Sequence, residues 1–206
     1  MSMWDQRFDT PDHVYGREPN DFLAEQSALI PKGRVLSLAE GEGRNAVYLA
    51  KQGYGVTALD ASRVGLQKTE RLAAESGVRV QTLHQDLADY RFEHDSWQGI
   101  IAIYCHLPSE QRKRIHSEIV KSLAPGGVYI MESFSREQLK YGTGGPKSLD
   151  YLVDLHSVKA ELQGLEFRHA ARIERYLDEG KHHNGLASVV QVAGIKAKDL
   201  NVTNVL

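Results

Sequence analysis

Short apolar segments alternate with helical patterns along most of this chain, and no other feature limits its fold as strongly. Apolar runs predict strands at residues 34–39, 54–59, 78–83, 99–104 and 128–132. Helical patterns lie at residues 45–50 and 62–76, from Ser109 onward, and near residues 153–162. Parallel strands require long crossover connections, so this alternation predicts an α/β protein with a mainly parallel sheet between two helix layers. Ligands are expected at the carboxyl ends of its strands.

Two late strands depart from the alternation. Residues 166–177 and 187–195 follow each other with only a short polar connection. Sequential strands joined in this way pair antiparallel most naturally. The sequence therefore predicts an antiparallel addition at one edge of the sheet.

The length of 206 residues predicts one domain, covering residues 1–206. Within it, residues 198–206 are expected to form a disordered tail. Residues 1–20 show little secondary-structure signal but carry Trp4, Phe8 and Tyr15. This segment either folds as a lid over a bound cofactor or attaches the chain start to the core, and the sequence leaves both open.

Composition narrows the classes of partner. The formal net charge is −2, and the basic residues are scattered, which disfavours a nucleic-acid binder and favours a small-molecule partner. The single cysteine, Cys105, cannot form an internal disulfide and predicts a reducing, cytoplasmic compartment. No apolar stretch approaches the roughly 18 residues that cross a bilayer, so no membrane insertion is expected. Both a monomer and a homodimer fit these observations.

A glycine-bearing turn, residues 39–45, joins the first predicted strand to its helix. Gly41 and Gly43 let the chain bend and let a ligand approach the backbone. The turn also fits the dinucleotide pattern G-x-G-x-x-A, but Glu40 and Glu42 would oppose a pyrophosphate. S-adenosylmethionine carries an ammonium and a sulfonium and no phosphate. We therefore expect that cofactor, with Glu40 beside its ammonium and with Glu42 either in the site or a solvated turn residue.

Acidic residues end the next two predicted strands. Asp60 lies about 20 residues beyond the turn, where a carboxylate can accept hydrogen bonds from ribose hydroxyls. Asp86 is placed to accept from the adenine amino group, and Leu87 to cover the ring. Each acid could instead be an ordinary strand-end or helix-cap residue. The predicted cofactor-binding set is completed by Tyr15, Arg44, Asn45, Ala61 and Ile103.

Residues 35–50, 56–60, 85–87 and 123–127 together resemble the class I S-adenosylmethionine-dependent methyltransferases. Residues 4–8, 15–20 and 43–45 are most similar to the tellurite-resistance-type small-molecule methyltransferases. The resemblance implies a Rossmann-like three-layer sandwich whose seven-stranded sheet has an antiparallel last strand. It also implies methyl transfer to a small-molecule acceptor.

Two positions depart from the usual motif of this family. Ser37 stands where an acid is common, and Ala39 replaces the first glycine. A serine can still order the turn by hydrogen bonding. An alanine is compatible with the turn if its φ stays negative.

Candidate catalytic residues follow the fourth strand and precede the last one. His106 is expected to face the site, and its ordinary pKa of about 6.5 suits proton removal. It acts either as a general base or as a brace for its loop. His183 and its neighbour His182 lie in a polar turn and either reach the same site or remain solvated. A soft anionic acceptor needs no base at all.

The loop at residues 142–146 is expected to form a wall or lid for the substrate, with Glu132 and Gln138 as polar lining, or else to be a mobile surface loop. Neither cysteine pairs nor a His-Glu helix spacing are present, so no metal site is predicted. An NAD-linked oxidoreductase and a noncatalytic S-adenosylmethionine-binding module remain as alternative functions.

Overall fold

The structure is a computed structural model that describes residues 2–180 and 183–198. The predicted tail at residues 198–206 lies, after its first residue, outside this part of the chain, and so does His182. The described residues form one seven-stranded sheet with the strands β1 Arg34–Leu38, β2 Gly55–Asp60, β3 Gln81–His84, β4 Trp97–Ile103, β5 Leu123–Phe134, β6 Leu165–Asp178 and β7 Asn184–Lys196. The α-helices are α1 Met3–Phe8, α2 Asp21–Gln26, α3 Arg44–Lys51, α4 Arg63–Glu75, α5 Ser109–Ser122 and α6 Leu155–Glu161.

The strand order is β3-β2-β1-β4-β5-β7-β6. The first five strands in the chain pair parallel with one another, whereas β7 pairs antiparallel with both β5 and β6. The predicted fold class is therefore confirmed, including the antiparallel last strand. The order reverses between β1 and β4, and α/β sheets bind ligands beside such a reversal.

Both faces of the sheet are buried, as expected for parallel strands under two helix layers. On one face, Leu36 and Ile100 belong to an apolar cluster with Ile115 of α5. On the other face, Val35 and Ile101 belong to a second cluster, which includes residues of α2 and α3. No helix in the described part of the chain is long and apolar enough to cross a bilayer.

The structure of residues 3–8, near the start of the chain, differs from the prediction. Met3–Phe8 form a short helix, because the Ser2 hydroxyl accepts from the Asp5 amide at 3.0 Å and the Asp5 carboxylate accepts from the Ser2 amide at 3.1 Å. This reciprocal capping arrangement was readable from the serine and the acid three residues later. The prediction of little local structure here is wrong.

The boundary between α5 and β5 also differs from the prediction. The helix ends at Ser122 and the strand begins at Leu123, so the Pro-Gly-Gly segment lies inside the strand rather than between the two elements. A Cβ at Gly127 would lie 2.8 Å from the carbonyl oxygens of Ala124 and Trp97. This close backbone approach accounts for a glycine within the strand.

Candidate functional site

A cavity of about 350 Å³, the first cavity, lies at the carboxyl ends of β1, β2 and β4. Its position is the one expected for a ligand beside the reversal of strand order. The wall includes these predicted residues: Tyr15, Glu40, Gly41, Glu42, Arg44, Asn45, Asp60, Ala61, Asp86, Leu87, Ile103, His106 and His183. The tertiary structure thus brings together almost all of the candidates.

Gly43 is the predicted cofactor-binding residue that does not line this wall. Its φ is +95°, and a Cβ there would lie 2.7 Å from the Thr69 Cα on α4. Only glycine fits such a conformation at such a distance. This glycine therefore lets α3 and α4 pack closely, and its expected contact with the cofactor stays a prediction.

Gly41 lies in the cavity wall and is also in the left-handed region, with φ of +68°. Its amide donates to Asp60 Oδ2 at 2.8 Å. A Cβ at Gly41 would lie 3.1 Å from Phe8 Cζ, so the N-terminal helix covers this glycine. The turn is therefore held between β2 and α1.

Glu40 is buried and caps the start of α3. Its Oε1 accepts from the amides of Asn45 at 3.1 Å and Ala46 at 3.0 Å, and its Oε2 accepts from the Ser37 hydroxyl. Burial raises the pKa of Glu40 to about 7, while the bond from Ser37 lowers it in part. Ser37 and Glu40 together therefore order the turn. Ser37 stands at the position where the sequence motif commonly has an acid.

Asp60 ends β2 and is also buried. Besides Gly41, it accepts from the Ser62 amide at 2.7 Å through Oδ1. Burial raises the pKa of the Asp60 carboxyl, and the two amides lower it in part. A carboxylate oxygen accepts more than one hydrogen bond, so Asp60 retains acceptor capacity toward the cavity.

Glu42 is buried, which contradicts the reading of a solvated turn residue. Its Oε1 forms an ion pair with Lys68 Nζ at 2.7 Å, and its Oε2 accepts from the Val14 amide at 2.8 Å. Lys68 also donates to the Asp12 carbonyl at 2.7 Å. Glu42 and Lys68 therefore attach residues 10–15 to the glycine turn.

Arg44 and Asn45 line the first cavity but use polar atoms within the protein. Arg44 Nη2 donates to Glu179 Oε2 at 2.6 Å, and both side chains are buried. Asn45 Oδ1 accepts from the Asn20 amide at 3.0 Å. These bonds fix the start of α3 against segments that are distant in the sequence.

The expected polar lining by Glu132 and Gln138 is wrong, since both residues are buried and neither lines the first cavity or the larger cavity beside it. Glu132 is fully buried in β5, where it accepts from Tyr104 Oη at 2.6 Å and from Arg175 Nη1 at 2.9 Å. Gln138 donates to Thr143 Oγ1 at 3.0 Å. Glu132 is a buried partner of Tyr104 and Arg175, and Gln138 anchors the glycine-rich loop.

A second cavity of about 690 Å³ adjoins the first. The loop at residues 142–146 forms part of its wall, in agreement with one of the two expectations for this loop. Thr143 Oγ1 donates to the Leu186 carbonyl at 2.7 Å and so fixes the loop on β7. Five residues line both cavities and form their common wall: Trp4, Tyr15, His106, Tyr151 and His183.

His106 lies in this common wall. Its ring stacks on Phe134 with centroids 5.6 Å apart, and its Nδ1 lies 3.4 Å from the Ser133 hydroxyl. Its buried Nε2 has no hydrogen-bond partner among the described residues. Burial lowers the pKa of His106 to about 4, so the ring is neutral near pH 7 and not poised near 6.5 as expected.

His183 is buried rather than solvated. Its ring centroid lies 4.6 Å from that of Tyr15, 4.4 Å from that of Tyr104 and 5.1 Å from that of Phe134. It therefore reaches the common wall of the two cavities as part of an aromatic cluster. In the described part of the chain, no group of three His, Cys, Asp or Glu side chains is arranged to hold a metal ion.

The sequence and the fold are similar to those of known methyltransferases. Residues 35–127 match the family described as a methyltransferase domain. The chain is 30% identical to a 2-heptyl-1-hydroxyquinolin-4(1H)-one methyltransferase from Mycobacteroides abscessus, over 68% of this chain and 66% of the relative. The chain belongs to the class I S-adenosylmethionine-dependent methyltransferases. The family predicted from the sequence is thereby confirmed.

Further similarities extend the comparison for this methyltransferase. A ubiquinone biosynthesis O-methyltransferase from Rickettsia canadensis is 25% identical over 56% of this chain and 48% of the relative. The crystal structure of TehB from Haemophilus influenzae has the same fold, with a TM-score of 0.68 and 17% identity over 94% of this chain and 65% of that one. The chain thus spans just under two thirds of the first relative and about half of the second.

The cofactor of this methyltransferase is S-adenosylmethionine. The described residues fit it, because the first cavity is lined by the carboxylates of Glu40, Asp60 and Asp86 and the cofactor carries positive charge and no phosphate. A pyrophosphate would instead need the amides at the start of α3. Glu40 already accepts from two of those amides, which is a stronger argument against a dinucleotide than its charge alone.

Glu40 gives this methyltransferase a testable pH dependence. A carboxyl whose folded pKa is raised destabilises the folded state as the pH rises from the unfolded pKa to the folded one, here from 4.5 to about 7. We expect Glu40→Gln, which keeps an acceptor for the α3 amides, to gain about 2 kcal/mol of stability relative to wild type between about pH 5 and about pH 8.

Urea unfolding at the two pH values measures this difference. Glu110→Gln, at an exposed glutamate on α5, serves as the control, and the expected difference there is near zero. A stability difference for Glu40→Gln that does not change with pH would show that Glu40 is ionised throughout.

Ala39 departs from its expected conformation. Its φ is +50°, whereas a negative φ was expected. The left-handed region costs a non-glycine residue about 1 to 2 kcal/mol, and a glycine loses about 0.5 to 1 kcal/mol more entropy on folding. We therefore expect Ala39→Gly to stabilise the protein by roughly 0.5 to 1 kcal/mol. Chemical denaturation checks this, and Ala74→Gly on α4 should be destabilising by about 1 kcal/mol.

Two tyrosines of the cavity walls were not predicted as site residues from the sequence. Tyr104 and Tyr151 both line the first cavity, and Tyr151 lines the second as well. Tyr104 follows β4 with φ of +52°, which no sequence pattern indicates. Tyr151 lies on a short 3-10 helix fixed by a hydrogen bond from the Ser109 amide to Asp150 at 3.1 Å. Aromatic residues near the loop at residues 142–146 were the sequence feature that could have indicated these tyrosines.

Proposed function

We propose that this protein transfers the methyl group of S-adenosylmethionine to a small-molecule acceptor bound in the second cavity. The observation that carries the proposal is the common wall of the two cavities. His106 and His183 lie in this wall, so a donor in the first cavity and an acceptor in the second would meet beside them. Holding the donor and the acceptor in contact can supply most of the acceleration of methyl transfer, because the sulfonium is already an activated leaving group.

The relatives suggest which acceptor atom is methylated. One relative is named for a hydroxyquinolone, and another is named as an O-methyltransferase of ubiquinone biosynthesis. Both names fit a hydroxyl oxygen on a ring. We extend this to the present chain as part of the proposal, because aromatic residues of the common wall suit a planar acceptor.

The residues divide into three roles. Asp60 would accept from the ribose hydroxyls, and Leu87 and Ile103 would cover the adenine with apolar surface, while Asp86 at the exposed end of that pocket would accept from its amino group. S-adenosylmethionine supplies a methyl group on a sulfonium, which is already an activated leaving group. Trp4 and Tyr15 exclude water from the common wall, where desolvation strengthens electrostatic interactions.

Calorimetric titration with S-adenosylmethionine, S-adenosylhomocysteine and NAD tests the cofactor part of the proposal. We expect heat from the first two compounds and none from NAD. Binding of NAD without binding of S-adenosylmethionine would favour an oxidoreductase. Incubation with radiolabelled S-adenosylmethionine and a panel of hydroxylated aromatic compounds then tests transfer. Cofactor binding without transfer to any member of the panel would favour a noncatalytic binding module.

A further inference from the structure

We propose that the second cavity selects its acceptor as an anion, a planar hydroxyl compound in its deprotonated form, and that Arg7 and Lys147 are the residues that select it. This inference rests on the proposed function, since it names the acceptor class of the same site. It concerns binding of the acceptor and is therefore testable without methyl transfer.

The charges of the two cavities are opposite. The described wall of the second cavity contains Arg7 and Lys147 and no aspartate or glutamate. The wall of the first cavity contains four acidic residues, Glu40, Glu42, Asp60 and Asp86, and the cation Arg44. The first wall therefore suits a cationic donor, and the second suits an anionic acceptor.

Arg7 is held at the second cavity by two contacts. Its Nη1 donates to Tyr15 Oη at 3.0 Å, and its guanidinium lies over the Trp4 ring, 5.4 Å from the ring centroid. Tyr15 and Trp4 themselves lie in the common wall. The guanidinium keeps donors that can reach a ligand, because arginine carries five N–H groups and only one of them donates to a described residue.

Lys147 directly follows the glycine-rich loop at residues 142–146. That loop is fixed by Gln138, which donates to Thr143 Oγ1 at 3.0 Å and to the Gly144 carbonyl at 3.2 Å. The backbone that carries Lys147 is thus anchored on the scaffold, while its ammonium remains exposed to solvent at the wall. Because the ammonium is exposed, its attraction for an anion is screened by salt.

The proton balance of the reaction agrees with an anionic acceptor. The other titratable groups that line the second cavity are Tyr15, His106, Tyr151 and His183. His106 is a weak base, since burial lowers its pKa to about 4. An acceptor that has already lost its proton to solvent needs no base: its oxygen lone pair forms the O–C bond, and the pair of the broken C–S bond goes to sulfur, so the opposite charges cancel.

The test uses 4-nitrophenol, whose phenol and phenolate forms absorb at different wavelengths, bound to the full chain with S-adenosylhomocysteine present. We expect the pKa of bound 4-nitrophenol to fall by about one unit, which corresponds to roughly tenfold tighter binding of the phenolate than of the phenol. The neutral methyl ether 4-nitroanisole should bind about tenfold more weakly than the phenolate.

Arg7→Gln and Lys147→Gln should each remove a large part of this shift. Lys147→Gln, at a residue that lines only the second cavity, should leave S-adenosylhomocysteine affinity unchanged. Lys140→Gln is the matched control, because Lys140 is exposed nearby and lines neither cavity. An unchanged or raised pKa of the bound phenol, insensitivity to both variants, or no binding of the phenolate would overturn the inference. Absence of S-adenosylhomocysteine binding, with the phenolate shift intact, would instead count against the proposed function alone.

Discussion

Replacing Asp60 with asparagine should weaken binding of S-adenosylmethionine by at least about tenfold. The variant lacks the charged acceptor proposed for the ribose hydroxyls, and a hydrogen bond to a charged group contributes about 1.5 to 3 kcal/mol. The structure adds a second reason. Asp60 accepts from the Gly41 amide through one oxygen and from the Ser62 amide through the other. An asparagine has one acceptor oxygen and an amide nitrogen that only donates, so one of these bonds must break.

Calorimetric titration of the purified Asp60→Asn variant measures the affinity, and a thermal unfolding curve establishes that it is folded. Asp89→Asn provides the matched control, since Asp89 is exposed and lies outside both cavity walls. Unchanged affinity in a folded Asp60→Asn variant would show that the carboxylate acts only within the turn.

The second large effect is expected at Lys68. Lys68→Met keeps the apolar stem of the side chain but leaves Glu42 buried without its cation. Removing one partner of a buried ion pair costs about 3 to 5 kcal/mol. Residues 10–15 should also loosen, because Lys68 donates to the Asp12 carbonyl. We therefore expect weaker cofactor binding as well, since Tyr15 lines both cavities.

Urea unfolding of three variants separates the causes of that loss. Glu42→Gln combined with Lys68→Met removes the unpaired charge and should recover a substantial part of the stability. Lys51→Met, at an exposed lysine on α3, should stay within about 0.5 kcal/mol of wild type. A Lys68→Met variant as stable as the wild type would show that Glu42 is solvated or protonated when the lysine is absent.

The sequence by itself determined the fold class, the glycine turn between β1 and α3 and the acid at the end of β2. These features depend on local periodicity and on short spacings, and both are visible in one chain. Gly41 and Asp60 are 19 positions apart, yet the parallel pairing of β1 with β2 brings any such pair together. Most of the first cavity follows from this pairing.

Only the tertiary structure decided which partner each buried charge has. Arg44 meets Glu179 across 135 positions, Glu42 meets Lys68 across 26, and the common wall joins Trp4 and Tyr15 to residues beyond position 100. Periodicity shows that a side chain faces inward but carries no information about what it faces. The positive φ of Ala39 and the neutral state of His106 were hidden for the same reason, because backbone strain and desolvation depend on packing against distant segments.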